Sequence, residues 1–337
     1  MTATRQAETR GSGRRFGARA QTWLGVALGL AALYLAARGL DFGQVGQSLA
    51  GVRWPYVLLS LVVYLLTQIV KAIRWRWLLA GLPARVSLAR AAGLLVAGQA
   101  ANLLLPARVG DLMRAYLAGE EAGISKIYLL GTIAGEKLLD LVALALLGLL
   151  LAALMALPAW LAGPTEAVVI TALATAAACG LLVAGRRLWL AALSRLLPRW
   201  SERWRQRLAA GIDGLAALAA PGARLAVGWW TLVAWLLAAV TNLVLFPAFN
   251  LPPAARPALF LLAVLQAGVA VPSSPGKIGV FHALCVLALG AFGVAGPVAL
   301  GYGVVLHAIV VGSSSLWAAL ALWRRSWGLR RNWALDL

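Results

Sequence analysis

Pro275-Gly-Lys-Ile-Gly279 sets a proline, two glycines and a lone lysine inside an otherwise very apolar C-terminal third. The same order of residue types (proline, small, basic, β-branched, glycine) stands far upstream as Pro106-Ala-Arg-Val-Gly110. Gln99-Ala100 precedes the first copy and Gln266-Ala267 the second, at nearly the same distance. Both runs break helices, since proline lacks a backbone donor and glycine is conformationally loose. The surrounding chain has to be read as whatever tolerates two broken, basic turns among apolar residues.

Composition says what that is. Of 337 residues, 62% are hydrophobic and 12% charged, whereas soluble domains carry about a quarter charged residues. The chain reads as an integral membrane protein. Its formal charge of +19 resembles that of a nucleic-acid binder, but the basic residues cluster beside apolar segments, where anionic headgroups attract them. Membrane lipid is therefore the expected partner and nucleic acid is not. Cys179 and Cys285 lie inside apolar runs, and His282 and His307 are the only histidines. Neither a disulfide framework nor a metal site follows, and no cofactor is expected.

Residues 1–20 are polar and rich in glycine and arginine, the pattern of a disordered basic tail on the cytoplasmic surface. The apolar run from Trp23 lacks a persuasive cleavage site and reads as an uncleaved first span. A bilayer core needs about 20 helical residues, and runs near 22–38, 54–71, 127–157, 166–185, 225–247 and 297–323 predict six full spans. Positive loops stay cytoplasmic. The N-terminal tail, the stretch 71–90 with Lys71, Arg74, Arg76, Arg85 and Arg90, the seven arginines of 185–207 and the C-terminal tail all belong on that side. Both termini are then cytoplasmic, with 21–325 forming one transmembrane domain and 326–337 a tail.

This count makes 88–105 a special case. If it crossed fully, the seven arginines of 185–207 would face outward. A re-entrant hairpin near 88–117, turning at Pro106 and returning as a short helix 107–117, removes the conflict; irregular backbone at that depth implies a cavity. Charge parity does not decide the second hairpin, near 257–294. By analogy it re-enters from the opposite face, giving an all-α membrane fold with two opposed hairpins in an inverted-repeat-like arrangement, where transport sites form. The arginine- and tryptophan-bearing stretch 188–220, broken by Pro198, predicts one or two interfacial amphipathic helices. Most of the fifteen tryptophans sit near span ends and read as anchors.

The candidate site residues gather at the hairpins. Arg108, Asp111 and Arg114 recur every three residues, so the aspartate can be flanked by both arginines. Gly135-Glu-Lys-Leu-Leu-Asp140 follows, with Glu136 and Asp140 on one helix face and Lys137 in reach of Asp140. Charges at this depth must pair or face a polar interior; they are structural ion pairs or a substrate site, and pairing of Glu136 or Asp140 with Arg108 or Arg114 would bury the set. Each proline is suited to the first position of a helix, with Ser273 or Ser274 capping the second. Two helix N-termini carrying Arg108 and Lys277 make an anion site, Arg108 gripping a phosphate with its fork and Lys277 neutralising it. The rival reading of Lys277 is a lysine snorkelling to the interface. Gly110, Gly276 and Gly279 permit close approach of a headgroup or a helix. Asn102, Gln99 and Gln266 line a cavity or bond between helices. His282 is either a proton carrier or a satisfied interhelical group, and His307 reads as structural. No catalytic constellation accompanies Glu136, Asp140 or the serines, so the chain is not read as an enzyme.

Four blocks carry a family resemblance: Lys71-Ala-Ile-Arg74-Trp-Arg-Trp-Leu-Leu79, Asn102 through Arg114, Glu136-Lys137-Leu-Leu-Asp140, and Pro272-Ser-Ser-Pro275-Gly276-Lys277-Ile-Gly279. In these, and over nearly the whole chain from about residue 20, it resembles the flippase-like membrane proteins that share the transmembrane region of lysylphosphatidylglycerol synthase. The resemblance implies an all-helical fold with two re-entrant hairpins and movement of a lipid between leaflets. His282 stands where an acidic residue is common in that family, and Lys137 where arginine is. The family's soluble aminoacyl-transfer domain is not expected here, which argues against synthesis of lysyl-lipid. The resulting expectation is a bacterial inner-membrane flippase for a phosphate-bearing lipid: a phospholipid, a polyprenyl-phosphate-linked lipid or a glycolipid. Arg108 and Lys277 would bind phosphate; Asn102, Asp111, Arg114, Glu136, Asp140, Ser273, Ser274, Gly276 and His282 would complete the site. The alternative is a non-transporting subunit that presents lipid to a separate glycosyltransferase or lipid-modifying enzyme.

Overall fold

The computed structural model describes residues 27, 29–34, 38, 40–82, 86–104, 109–196, 202–220, 222–268 and 275–317. Among these residues the chain is helical throughout and contains no strand. Five helices are long and apolar enough to cross a membrane: Trp54–Leu78, Lys126–Leu154, Ala159–Ala184, Ala223–Phe249 and Gly296–Trp317. The expected first span, 22–38, lies largely outside the described residues.

The helices are α1 (Phe42–Ala50), α2 (Trp54–Leu78), α3 (Leu88–Leu104), α4 (Val109–Ala122), α5 (Lys126–Leu154), α6 (Ala159–Ala184), α7 (Arg186–Leu196), α8 (Glu202–Ala216), α9 (Ala223–Leu245), α10 (Ala255–Gly268), α11 (Val280–Gly290) and α12 (Gly296–His307). Two boundaries differ instructively from the hydropathy reading. α2 runs seven residues beyond the expected end at 71, because Lys71, Arg74 and Arg76 are good helix formers and do not stop a helix. α6 starts seven residues before the expected 166 and carries Pro164 within it.

α2 lies along α9 in the most extensive helix pair. Around this axis the apolar side chains separate into two cores. One, centred on Trp75, Leu78, Ala91, Ala115, Leu129 and Val227, takes in α3 and α4. The other, centred on Phe246, Phe260, Leu261, Leu289, Tyr302 and Leu306, takes in α10 and α11. α5 contributes Leu129 and Ile133 to the first and Leu147 and Leu151 to the second. Each broken hairpin thus has its own core.

The stretch expected to lie in the interface forms α7 and α8 on either side of the Pro198 region. α8 is more than a surface helix. Ile212, Gly214 and Leu215 are buried, and a side chain on Gly214 or Gly131 would collide with the facing backbone of α5 or α8, so the two helices meet at their glycines. Arg186 pairs with Asp213 at 2.7 Å and ties α7 to α8.

Candidate functional site

The first hairpin is closed by a reciprocal clamp. Asn102 Nδ2 donates to Asp111 Oδ1 at 3.0 Å, and the Asp111 N–H donates to Asn102 Oδ1 at 3.3 Å. The clamp works because α3 and α4 cross closely: a Cβ on Gly110 would strike the Gly98 carbonyl and the Asn102 amide. Gly110 admits a neighbouring helix here. Of the two arginines expected to flank Asp111, Arg114 turns away to Glu136 and Arg108 lies outside the described residues. Asp111 instead has Lys137 Nζ at 3.9 Å, and Lys137 looks to Asp111 in place of the expected Asp140. The helix turn explains this: Arg114 lies on the face of α4 that meets α5, while Asp111 faces back to α3.

Arg114, 4% exposed, donates through Nη1 to Glu136 Oε2 at 2.7 Å and lies over the Trp75 ring at 3.7 Å from its centroid. This is the expected pairing of Glu136 with an arginine of the first hairpin. Asp140 pairs elsewhere. Arg74, 2% exposed, reaches Asp140 Oδ1 at 2.7 Å and Oδ2 at 3.3 Å, Thr231 Oγ1 at 3.4 Å and Glu136 Oε1 at 3.9 Å. The fork of one arginine thus joins two carboxylates a helical turn apart on α5, the bidentate geometry that guanidinium provides and ammonium does not. Glu136 is 2% exposed, so removing either arginine would strand a buried charge.

The charge count groups Arg74 with the surface arginines of 71–90, whereas the structure buries it among carboxylates. The signal was present: Trp75, Trp77, Leu78 and Leu79 continue the apolar helix past Arg74, so it sits within the span rather than beyond it. Trp75 likewise departs from the anchoring role, being fully buried, with Nε1 donating to Thr132 Oγ1 at 3.3 Å.

The second hairpin is built from backbone. Pro275–Lys277 forms a separate 3-10 turn, and α11 begins only at Val280 with Gly279 as its N-cap. Pro275 is therefore not the first residue of the returning helix, Lys277 precedes that helix instead of lying inside it, and the serine cap expected from Ser273 or Ser274 is replaced by Gly279. The turn needs left-handed backbone three times, at Gly276 (φ 71°), Lys277 (φ 57°) and Gly279 (φ 91°). A Cβ on Gly279 would strike the Gly29 carbonyl, so close backbone approach and dihedral angle both select glycine there.

Two imidazoles hold this turn. His307 Nε2 hydrogen-bonds the Gly276 carbonyl at 2.8 Å, and His282 Nδ1 accepts the Gly279 N–H at 3.4 Å. Their rings stand 4.9 Å apart, with Phe281 packed on His307 at 5.1 Å. His282 is buried and serves as a cap within its own helix. Gln266 is exposed and Gln99 partly buried. Arg108, Ser273 and Ser274 lie outside the described residues.

The two hairpins touch: the 3-10 turn Pro275–Lys277 packs against α3. Among the described residues no three His, Cys, Asp or Glu side chains come together as a metal site.

A family model described as the lysylphosphatidylglycerol synthase TM region matches residues 22–318. No curated protein and no solved structure matches the chain significantly.

Proposed function

The chain belongs to the lysylphosphatidylglycerol synthase transmembrane-region family, a membrane family of phospholipid handling, and from that premise we propose that it moves a phosphate-bearing lipid between the leaflets of a bacterial inner membrane. The observation that carries this reading is the contact between the Pro275–Lys277 turn and α3. It sets the lysine-bearing turn against the arm that precedes Arg108 in sequence, which supports assigning the two cations to one phosphate. Within the described residues α3, α10 and α11 run for 17, 14 and 11 residues, short of the roughly 20 a span needs, which supports reading both hairpins as re-entrant. In this reading both termini are cytoplasmic and the protein is a carrier, with no bond made or broken.

The paired charges play a supporting part. Arg114 fastens α4 to Glu136 of α5 and to Trp75 of α2, Arg74–Asp140 ties α2 to α5, and Asn102–Asp111 clamps α3 to α4, which supports a fixed wall for the headgroup. Gly276 and His282 shape the second turn.

Translocation of a fluorescent phospholipid in reconstituted vesicles tests the reading. Arg108→Ala should slow it about tenfold or more, the loss of one charge-assisted phosphate contact, with thermal unfolding unchanged. Full activity in that variant overturns the site. Absence of translocation by the wild-type protein, with co-purification of a lipid-modifying enzyme, would favour the presenting subunit.

A further inference from the structure

Among the described residues the polar cluster does not balance its own charge. Arg74 is matched by Asp140, Arg114 by Glu136 and Lys137 by Asp111. Lys71 lies within electrostatic reach of Asp140, Arg74, Lys137 and Glu136, yet makes no ion pair or hydrogen bond among the described residues. It is partly buried, seven residues before the end of α2, which is about 10 Å inside that end at 1.5 Å per residue. A cation at this depth needs a counterion or a path to water.

One turn back along α2 stands Gln68, 5% exposed, whose buried Oε1 has no partner. Gln68 opens onto an apolar groove lined by Tyr64, Leu65, Ile69, Val96 and Trp317. The wall opposite α2 is irregular for a visible reason: the last span turns through a π-helix at Ala308–Gly312, a distortion that often marks functional sites. The Tyr64 hydroxyl reaches the Val310 carbonyl at 3.1 Å and Ser314 Oγ at 3.0 Å, holding α2 to that turn. Along α2 the order is therefore apolar groove, unpartnered carboxamide, unmatched ammonium. That is the order of parts in an anionic lipid read from tail to headgroup.

We infer that Lys71 and this groove form a lipid site, Lys71 taking the phosphate of an anionic phospholipid and the groove beside Gln68 taking an acyl chain. The inference deepens the lipid-handling reading and rests on it for the bilayer setting. It assigns the missing negative charge of the cluster to the lipid. Lys71 would be the first contact of a lipid entering from the cytoplasmic leaflet.

The test is retention of phosphatidylglycerol, against phosphatidylcholine, by the full-length protein in native mass spectrometry. Lys71→Gln should lower phosphatidylglycerol retention about fivefold, the order expected for one lysine at an anionic headgroup, and leave phosphatidylcholine unaffected. Because Arg74 holds both oxygens of Asp140, the change strands no carboxylate. Lys71→Arg should restore retention. Ile69→Trp, at a 39% exposed groove position, should lower retention of both lipids by filling the groove. Unchanged phosphatidylglycerol retention in Lys71→Gln means that Lys71 only snorkels, and overturns the inference. Displacement of the lipid by inorganic phosphate alone overturns the lipid assignment in favour of a free anion. Wild-type protein that retains phosphatidylglycerol through Lys71 but translocates nothing would end the transport reading and leave this site standing.

Discussion

The two broken hairpins share a five-residue pattern and almost nothing of what supports it. The first is fastened by side-chain charge: Arg114–Glu136, Arg74–Asp140 and the Asn102–Asp111 clamp join α3 and α4 to α2 and α5. The arms of the second, α10 and α11, contain no acidic residue. That hairpin is shaped by left-handed backbone at Gly276, Lys277 and Gly279 and held by two imidazoles on the backbone of its turn. Similar sequence therefore fixes the break and not its energetics. Buried ions surround one break, whereas backbone at positive φ and two imidazoles shape the other.

The largest effect should come from the charged hairpin. Glu136→Gln leaves Arg114 buried over Trp75 without its carboxylate, and breaking a buried pair costs about 3–5 kcal/mol. Thermal unfolding in detergent should show the loss, and the paired change Arg114→Met with Glu136→Leu should recover most of it. If the single change leaves the unfolding temperature where it was, the two hairpins do not differ as described.

A smaller loss belongs to the second hairpin. Gly279→Ala meets both the Gly29 carbonyl and a φ of 91°; strain at such a position costs about 1–3 kcal/mol. The same measurement applies, and a neutral outcome would remove the backbone account of that turn.

The smallest effect has the opposite sign. Lys277 stands at φ 57°, where a side chain costs roughly 1–2 kcal/mol that glycine does not. Glycine also loses more freedom on folding, so Lys277→Gly should stabilise by less than about 1 kcal/mol while abolishing lipid translocation. Loss of stability instead would mean that the lysine side chain, through its contacts, holds the turn.

How much of this was legible beforehand follows the range of each interaction. The Glu136–Arg114 pair was legible, because both residues stand on segments that had to bury charge, and few partners were available. The contact of Lys137 with Asp111 was not, since spacing along one helix favoured Asp140 and the facing helix won. Arg74 is not legible as a buried partner, because counting basic residues to set orientation treats each as a surface charge. Its partner Asp140 is 66 positions away, and only the alignment of α2 beside α5 shows that Arg74 turns inward. Capping by His282 was hidden by the position of the helix start, which the proline suggested lay at 275 and which the backbone moves to 280.

Sequence alone determined that this is a multi-pass helical membrane protein, where its helices break and which charges must find partners. Those follow from local quantities: the length of apolar runs, the missing N–H of proline and the cost of charge in hydrocarbon. Tertiary structure decided the pairing of those charges, the backbone support of the second turn and the lysine left unmatched beside an apolar groove. Each depends on the rotation and crossing of helices, set by contacts such as Gly98 on Gly110 and Gly131 on Gly214. Such contacts lie far apart in sequence or on different faces of a helix, and no spacing along one segment encodes them.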